Sequence, residues 1–209
     1  MEAVAARVEV HQALPPEEEA RGDFYALLAR LFSTAPDSAL IRSLADAEAI
    51  PSEGDPALGK AWGELVAASG AMDAEAAAEE YERLFVGVGK AQVSMYAGYY
   101  GGAMAVDHPR VRLSADLAAL GLGRLDRVTE PEDHFATLFD VMRVLVAGGP
   151  GRAPAPLAEQ KRFFEGHLQP GVAKFFHSMS AAEGANYYRK VAALGQAFTA
   201  LEIESFQLA

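Results

Sequence analysis

Thr129-Glu130-Pro131-Glu132-Asp133-His134 runs without a break into Phe135-Ala136-Thr137-Leu138-Phe139-Asp140-Val141-Met142, and the reading of this junction decides the fold class. Apolar side chains from Phe135 onward recur at the three-and-four spacing of a buried helix face. Thr129 with Glu132 three residues on forms a capping box, and Pro131 falls in the first turn, where a missing N–H costs nothing. The stretch therefore predicts a helix from 130 to about 147. Capping accounts for Thr129, Pro131 and Glu132 but leaves Asp133 and His134 unexplained, which makes this helix start a candidate functional junction.

The same periodicity extends in both directions. Toward the N-terminus, Phe24, Leu27, Leu28, Leu31 and Phe32 mark one helix, stopped at Pro36, and Leu40, Ile41 and Leu44 mark a short second one. Asp55-Pro56 is an N-cap with Pro at the first helical position, followed by Leu58, Trp62, Leu65 and Val66. Asp73 caps a fourth helix carrying Tyr81, Leu84 and Phe85, with Gly87 and Gly89 placed to end it. Pro109 opens a fifth, through Leu113 and Leu117. Beyond the glycine- and proline-rich stretch 148–156, the pattern gives a seventh helix stopped by Pro170-Gly171, an eighth through Met179, and a last from Tyr187 to Phe206. No useful strand alternation occurs, so an all-α bundle of about nine helices is expected. Its parts would be a loose arm over 1–16, an N-terminal half over 17–128 with a long loop at 87–108, and a C-terminal half over 129–209.

Composition limits the function. The absence of cysteine excludes disulfides, thiol nucleophiles and thiolate metal sites. No export signal and no apolar run long enough to span a membrane are read, so a soluble cytoplasmic protein without stable membrane insertion is expected. A net charge of −11 with no Lys/Arg cluster along the sequence argues against a nucleic-acid partner and favours basic ones. The five histidines lack the paired Glu-x-x-His spacing of di-iron bundles. No nucleophile elbow and no phosphate loop appear, so neither a catalytic residue nor a metal is expected. The loop instead carries Ser94-Met95-Tyr96, Tyr99-Tyr100 and Met104 on glycine-rich backbone. Such a surface suits an adaptable contact with an apolar peptide, although the same side chains could simply close the core.

Tyr81-Glu82-Arg83-Leu84-Phe85-Val86-Gly87-Val88-Gly89, Ser94-Met95-Tyr96, Glu130-Pro131-Glu132-Asp133-His134 and Phe163-Phe164-Glu165-Gly166-His167-Leu168-Gln169-Pro170 occur in this order. The series resembles the TorD/DmsD/NarJ family of redox-enzyme maturation chaperones, over roughly residues 20 to 205. The resemblance implies a TorD-like, all-α cytoplasmic chaperone in two halves joined by a hinge, with no enzymatic turnover and no cofactor of its own. It would bind the apo catalytic subunit of a molybdenum oxidoreductase, through a twin-arginine signal peptide or an equivalent N-terminal segment. The client would be held until its molybdopterin guanine dinucleotide is inserted. Carried over by position, Leu84, Phe85, Ser94, Tyr96, Glu130, Pro131, Asp133 and His134 are the implied peptide-binding or hinge residues. The family includes domain-swapped dimers, so a homodimer is open. Where members commonly carry prolines after the Gly-x-Gly, this chain has Lys90-Ala91-Gln92-Val93-Ser94, and where they carry Trp after the His-Leu-x-Pro it has Gly171, which thins a packing contact.

A twin-arginine signal offers guanidiniums followed by an apolar run, so its receptor needs carboxylates beside an apolar groove. Asp133, Glu130 and Glu132 would supply the first, and Leu84, Phe85, Met95 and Tyr96 the second. The competing classes are a helical-bundle enzyme or cofactor carrier with His134, Glu130 and His167 as ligands, and a generic helical assembly module.

Overall fold

A computed structural model describes residues 14–50, 55–87, 91–101, 109–122 and 131–208 of the chain. The fold is all-α, and its described elements run α1 (Pro16–Ser33), α2 (Ser38–Ala45), α3 (Pro56–Ala71), α4 (Ala74–Tyr81), α5 (Ala97–Tyr100), α6 (Pro109–Ala119), α7 (Phe135–Ala147), α8 (Leu157–Phe163), α9 (Gln169–Ala181) and α10 (Tyr187–Leu208). Nine of these match the expected helices; α5 is a single turn inside the long loop. Asp37, Asp55 and Asp73 cap α2, α3 and α4, each accepting a backbone N–H two or three residues on.

Two expectations about boundaries are corrected. The helix expected from 130 begins at Phe135, with His134 as its N-cap, because residues 131–134 form a tight turn closed by His134 N–H donating to Pro131 C=O at 3.2 Å. Thr129, the expected cap, lies outside the described residues. Pro170, expected to stop a helix, lies inside a continuous one. A π-helical turn over Phe164–Leu168 widens the backbone just ahead of it, with Gln169 N–H reaching Phe164 C=O, and α9 follows directly. The wider turn gives room where the proline ring would otherwise meet the preceding carbonyls.

α1 makes its main packing on α7, α10 lies against α3 and α9, and α5 rests on α9. The α1–α7 crossing is close because Gly22 faces Ala147; a Cβ at 22 would stand 3.0 Å from that methyl group. Phe32, fully buried on α1, joins five elements, since its ring meets those of Phe85, Phe139, Phe175, Phe176 and Tyr188 at centroid distances of 5.0–6.3 Å. No helix among the described residues is long and apolar enough to cross a membrane.

Candidate functional site

α4 runs into a second π-helical turn, Glu82–Val86, which ends at Gly87 with φ 63°, a left-handed backbone that favours glycine. Leu84 and Phe85 point inward from this turn and are 0% and 6% exposed. The Leu84 carbonyl accepts the Val93 N–H at 2.9 Å, which fastens the returning chain to the helix end. Ser94, Met95 and Tyr96 then lead to an isolated antiparallel bridge with the turn that precedes α7. In it Ala97 N–H donates to Asp133 C=O at 2.8 Å, and Phe135 N–H to Met95 C=O at 2.9 Å.

The bridge brings two sequence motifs into one site. Asp133 is buried, and its Oδ2 accepts the Gly98 N–H at 3.2 Å. Its Oδ1 lies 3.1 Å from Arg110 Nε, within ion-pair reach, yet receives no aligned hydrogen bond from any described residue. His134 is 2% exposed; its Nδ1 accepts the Ala136 N–H at 3.2 Å and its ring stands edge-on to Tyr96 at 5.3 Å. An accepting Nδ1 carries no proton, so the neutral ring holds its proton on Nε2. α5 is held onto α9 by the Tyr100 hydroxyl, which donates to Ser94 C=O at 2.9 Å and is 3.0 Å from Ser178 Oγ, and by Lys174 Nζ donating to Tyr100 C=O. Burial raises the Tyr100 hydroxyl above its ordinary pKa and keeps it a donor.

Of the residues singled out in the sequence, Tyr96 thus meets His134 directly, Met95 bonds the Phe135 that follows His134, and Asp133 takes the N–H groups of Ala97 and Gly98 just beyond Tyr96. Leu84 and Phe85 stand behind them in the core, and Glu130 lies outside the described residues. Arg110, at the start of α6, had no sequence signal, because no spacing rule links it to Asp133. The thinner packing expected at Gly171 is corrected as well. A Cβ there would already stand 3.3 Å from Ala97 O and Tyr100 Cβ and 3.4 Å from the Phe135 ring, so α5 and α7 fill the place that a larger side chain would take.

Among the described residues no group of three or more His, Asp or Glu side chains gathers as a metal site. His167 is used elsewhere, its Nε2 2.7 Å from Asp116 Oδ2, and burial lowers its pKa despite that carboxylate. A local basic concentration, invisible along the sequence, does form in space: Arg112, Lys161 and Arg162 border an open cleft of about 430 Å³, with Glu165 as its acid.

In a comparison with protein families, the model described as nitrate reductase delta subunit matches residues 52–177. The chain belongs to the nitrate reductase delta subunit family. Members of this family are molybdoenzyme maturation chaperones and not catalysts, and they associate with the catalytic subunit of nitrate reductase. The match extends from the region before α3 into α9, so both sides of the Tyr96–His134 bridge fall within the part that defines the delta subunit family. No curated protein matches the chain.

Proposed function

We propose that this protein is a cytoplasmic, system-specific chaperone for the apo catalytic subunit of a molybdenum oxidoreductase. It binds the client's twin-arginine signal or an equivalent N-terminal segment at the Asp133 junction, holds it until the molybdopterin guanine dinucleotide is inserted, and so proofreads export. The observation that carries this reading is a buried carboxylate, one oxygen of which meets, among the described residues, only an exposed and poorly aligned guanidinium, with exposed apolar residues following its partners in sequence. Tyr99 and Val111, 70% and 68% exposed, directly follow Gly98 and Arg110, the two residues that meet at Asp133. A guanidinium beside an apolar run fits that combination.

In this reading Met95, Tyr96, Tyr99, Pro131 and Asp133 touch the peptide, with Glu130 as a further carboxylate. Leu84, Phe85 and His134 act through the backbone they hold. The halves 17–128 and 129–209 meet at the same junction, and a homodimer would arise by exchange there. Calorimetric titration with a twin-arginine leader peptide tests the reading. Binding is expected for the Arg-Arg peptide, to weaken with a Gln-Gln version, and to weaken again in Asp133→Asn and Tyr99→Ser. Equal affinity for a scrambled peptide would remove the site. Leu84→Ala is the poorer probe, because emptying a core position costs about 2–5 kcal/mol of stability whatever the residue binds.

A further inference from the structure

The site already contains a guanidinium, and its grip is loose. Elsewhere the chain builds a tight pair: Arg21 holds Glu202 with Nε on one carboxylate oxygen and Nη2 on the other, both at 2.8 Å, and the Arg21 side chain is 18% exposed. The Asp133 pair is different. Arg110 Nε approaches Oδ1 at 3.1 Å but out of hydrogen-bond alignment, and the Arg110 side chain is 63% exposed while that of Asp133 is 5% exposed. Burying a carboxylate is costly unless it is paired and hydrogen-bonded, so an unfilled, buried Oδ1 has more to gain from a well-aligned donor than Arg110 provides. Gly98 keeps the carboxylate aimed. Its N–H holds Oδ2, and a Cβ at 98 would come within 2.9 Å of that oxygen.

We infer that Arg110 is an internal stand-in for the client's arginine: it covers Asp133 in the free chaperone and is displaced when the client binds. This rests on the proposed function and adds a specificity-determining residue to its site. The carboxylate stays compensated between clients, and a segment lacking an arginine cannot recover the contact that displacing Arg110 gives up. Exchange of one guanidinium for another creates no additional ion pair, so this contact gives wild-type binding little salt dependence.

Calorimetric titration of Arg-Arg, Gln-Gln and scrambled leader peptides into the folded wild-type chain, Arg110→Gln, Arg110→Lys and the double variant Arg110→Gln/Asp133→Asn tests the displacement. Arg110→Gln is expected to tighten the Arg-Arg peptide by about three- to tenfold. It should also steepen the salt dependence, leave the Gln-Gln peptide unchanged, and lose its gain in the double variant. Arg110→Lys keeps the charge without the planar fork and tightens binding by a smaller factor, which keeps the test open if Arg110→Gln does not fold. Wild-type binding with unchanged or weaker affinity in these single variants overturns the displacement and leaves the proposed function standing. A gain that survives Asp133→Asn overturns it too, because Arg110 would then act through general repulsion. No preference for the Arg-Arg over the scrambled peptide in any chain removes both.

Discussion

Gly98 matters to this site as much as the carboxylate it serves. The bridge fixes the Asp133 backbone through its carbonyl, so a methyl group at 98, 2.9 Å from Oδ2, is relieved only by turning the carboxylate away from the Gly98 N–H. Gly98→Ala is therefore expected to lose the N–H···Oδ2 bond and strain the turn, destabilising the chain by about 1–3 kcal/mol in urea unfolding and weakening peptide binding with it. Gly63 is the control. It is exposed within α3 with nothing within 4 Å of its Cβ position, so Gly63→Ala should stabilise by about 0.5–1 kcal/mol. Asp133 and His134 could be picked out of the sequence because capping chemistry left them over. Gly98 and Arg110 could not be joined to them, since an extended bridge between two short segments leaves no periodic trace.

Helices are legible from sequence where their ends are local, and less so where another element supplies the end. The aspartate caps of α2, α3 and α4 follow from a side chain and the N–H groups just beyond it. α7 follows that rule only in part: His134 caps it locally by accepting the Ala136 N–H, while the Phe135 N–H goes to Met95 across the bridge. α10 is a stronger case. Glu80, 3% exposed on α4, reaches over to accept the N–H groups of Asn186, Tyr187 and Tyr188 at 2.8–3.1 Å, so the last helix is capped by the fourth. Here a carboxylate meets both the orphan donors and the positive end of the helix dipole. Glu80→Gln keeps the size, removes the charge and turns one acceptor into a donor facing backbone N–H. It should cost about 2 kcal/mol in thermal unfolding and speed amide hydrogen exchange at 186–188. A change confined to the noise would mean that the cap is dispensable.

Periodicity along the chain gives the helices but not which of them pack together, and here the packing joins helices far apart in sequence. α1 lies far from α7 and α10 in sequence, yet its principal neighbour is α7, and Arg21 and Tyr25 on it both bond the Glu202 carboxylate of α10, at 2.7–2.8 Å. Burial by itself disfavours charge on Arg21, but Glu202 and Glu18 outweigh it and hold the guanidinium's pKa above its ordinary value. These contacts tie α1 to α7 and α10, so the three helices are expected to unfold as one cooperative unit. Trp62, the single tryptophan, reports on the α1–α3 side, where its ring packs edge-on against Phe24 at 5.8 Å, whereas far-UV circular dichroism reports on every helix. The two signals should give one urea midpoint. Glu202→Gln leaves Arg21 without its main partner in a buried setting and should cost about 3 kcal/mol. Because the pair ties α1 to α10, that variant should move both midpoints down together. A tryptophan transition that separated from the dichroism signal, in either protein, would show that α1 and its neighbours open ahead of the C-terminal helices and that the junction at Asp133 works between independently stable parts.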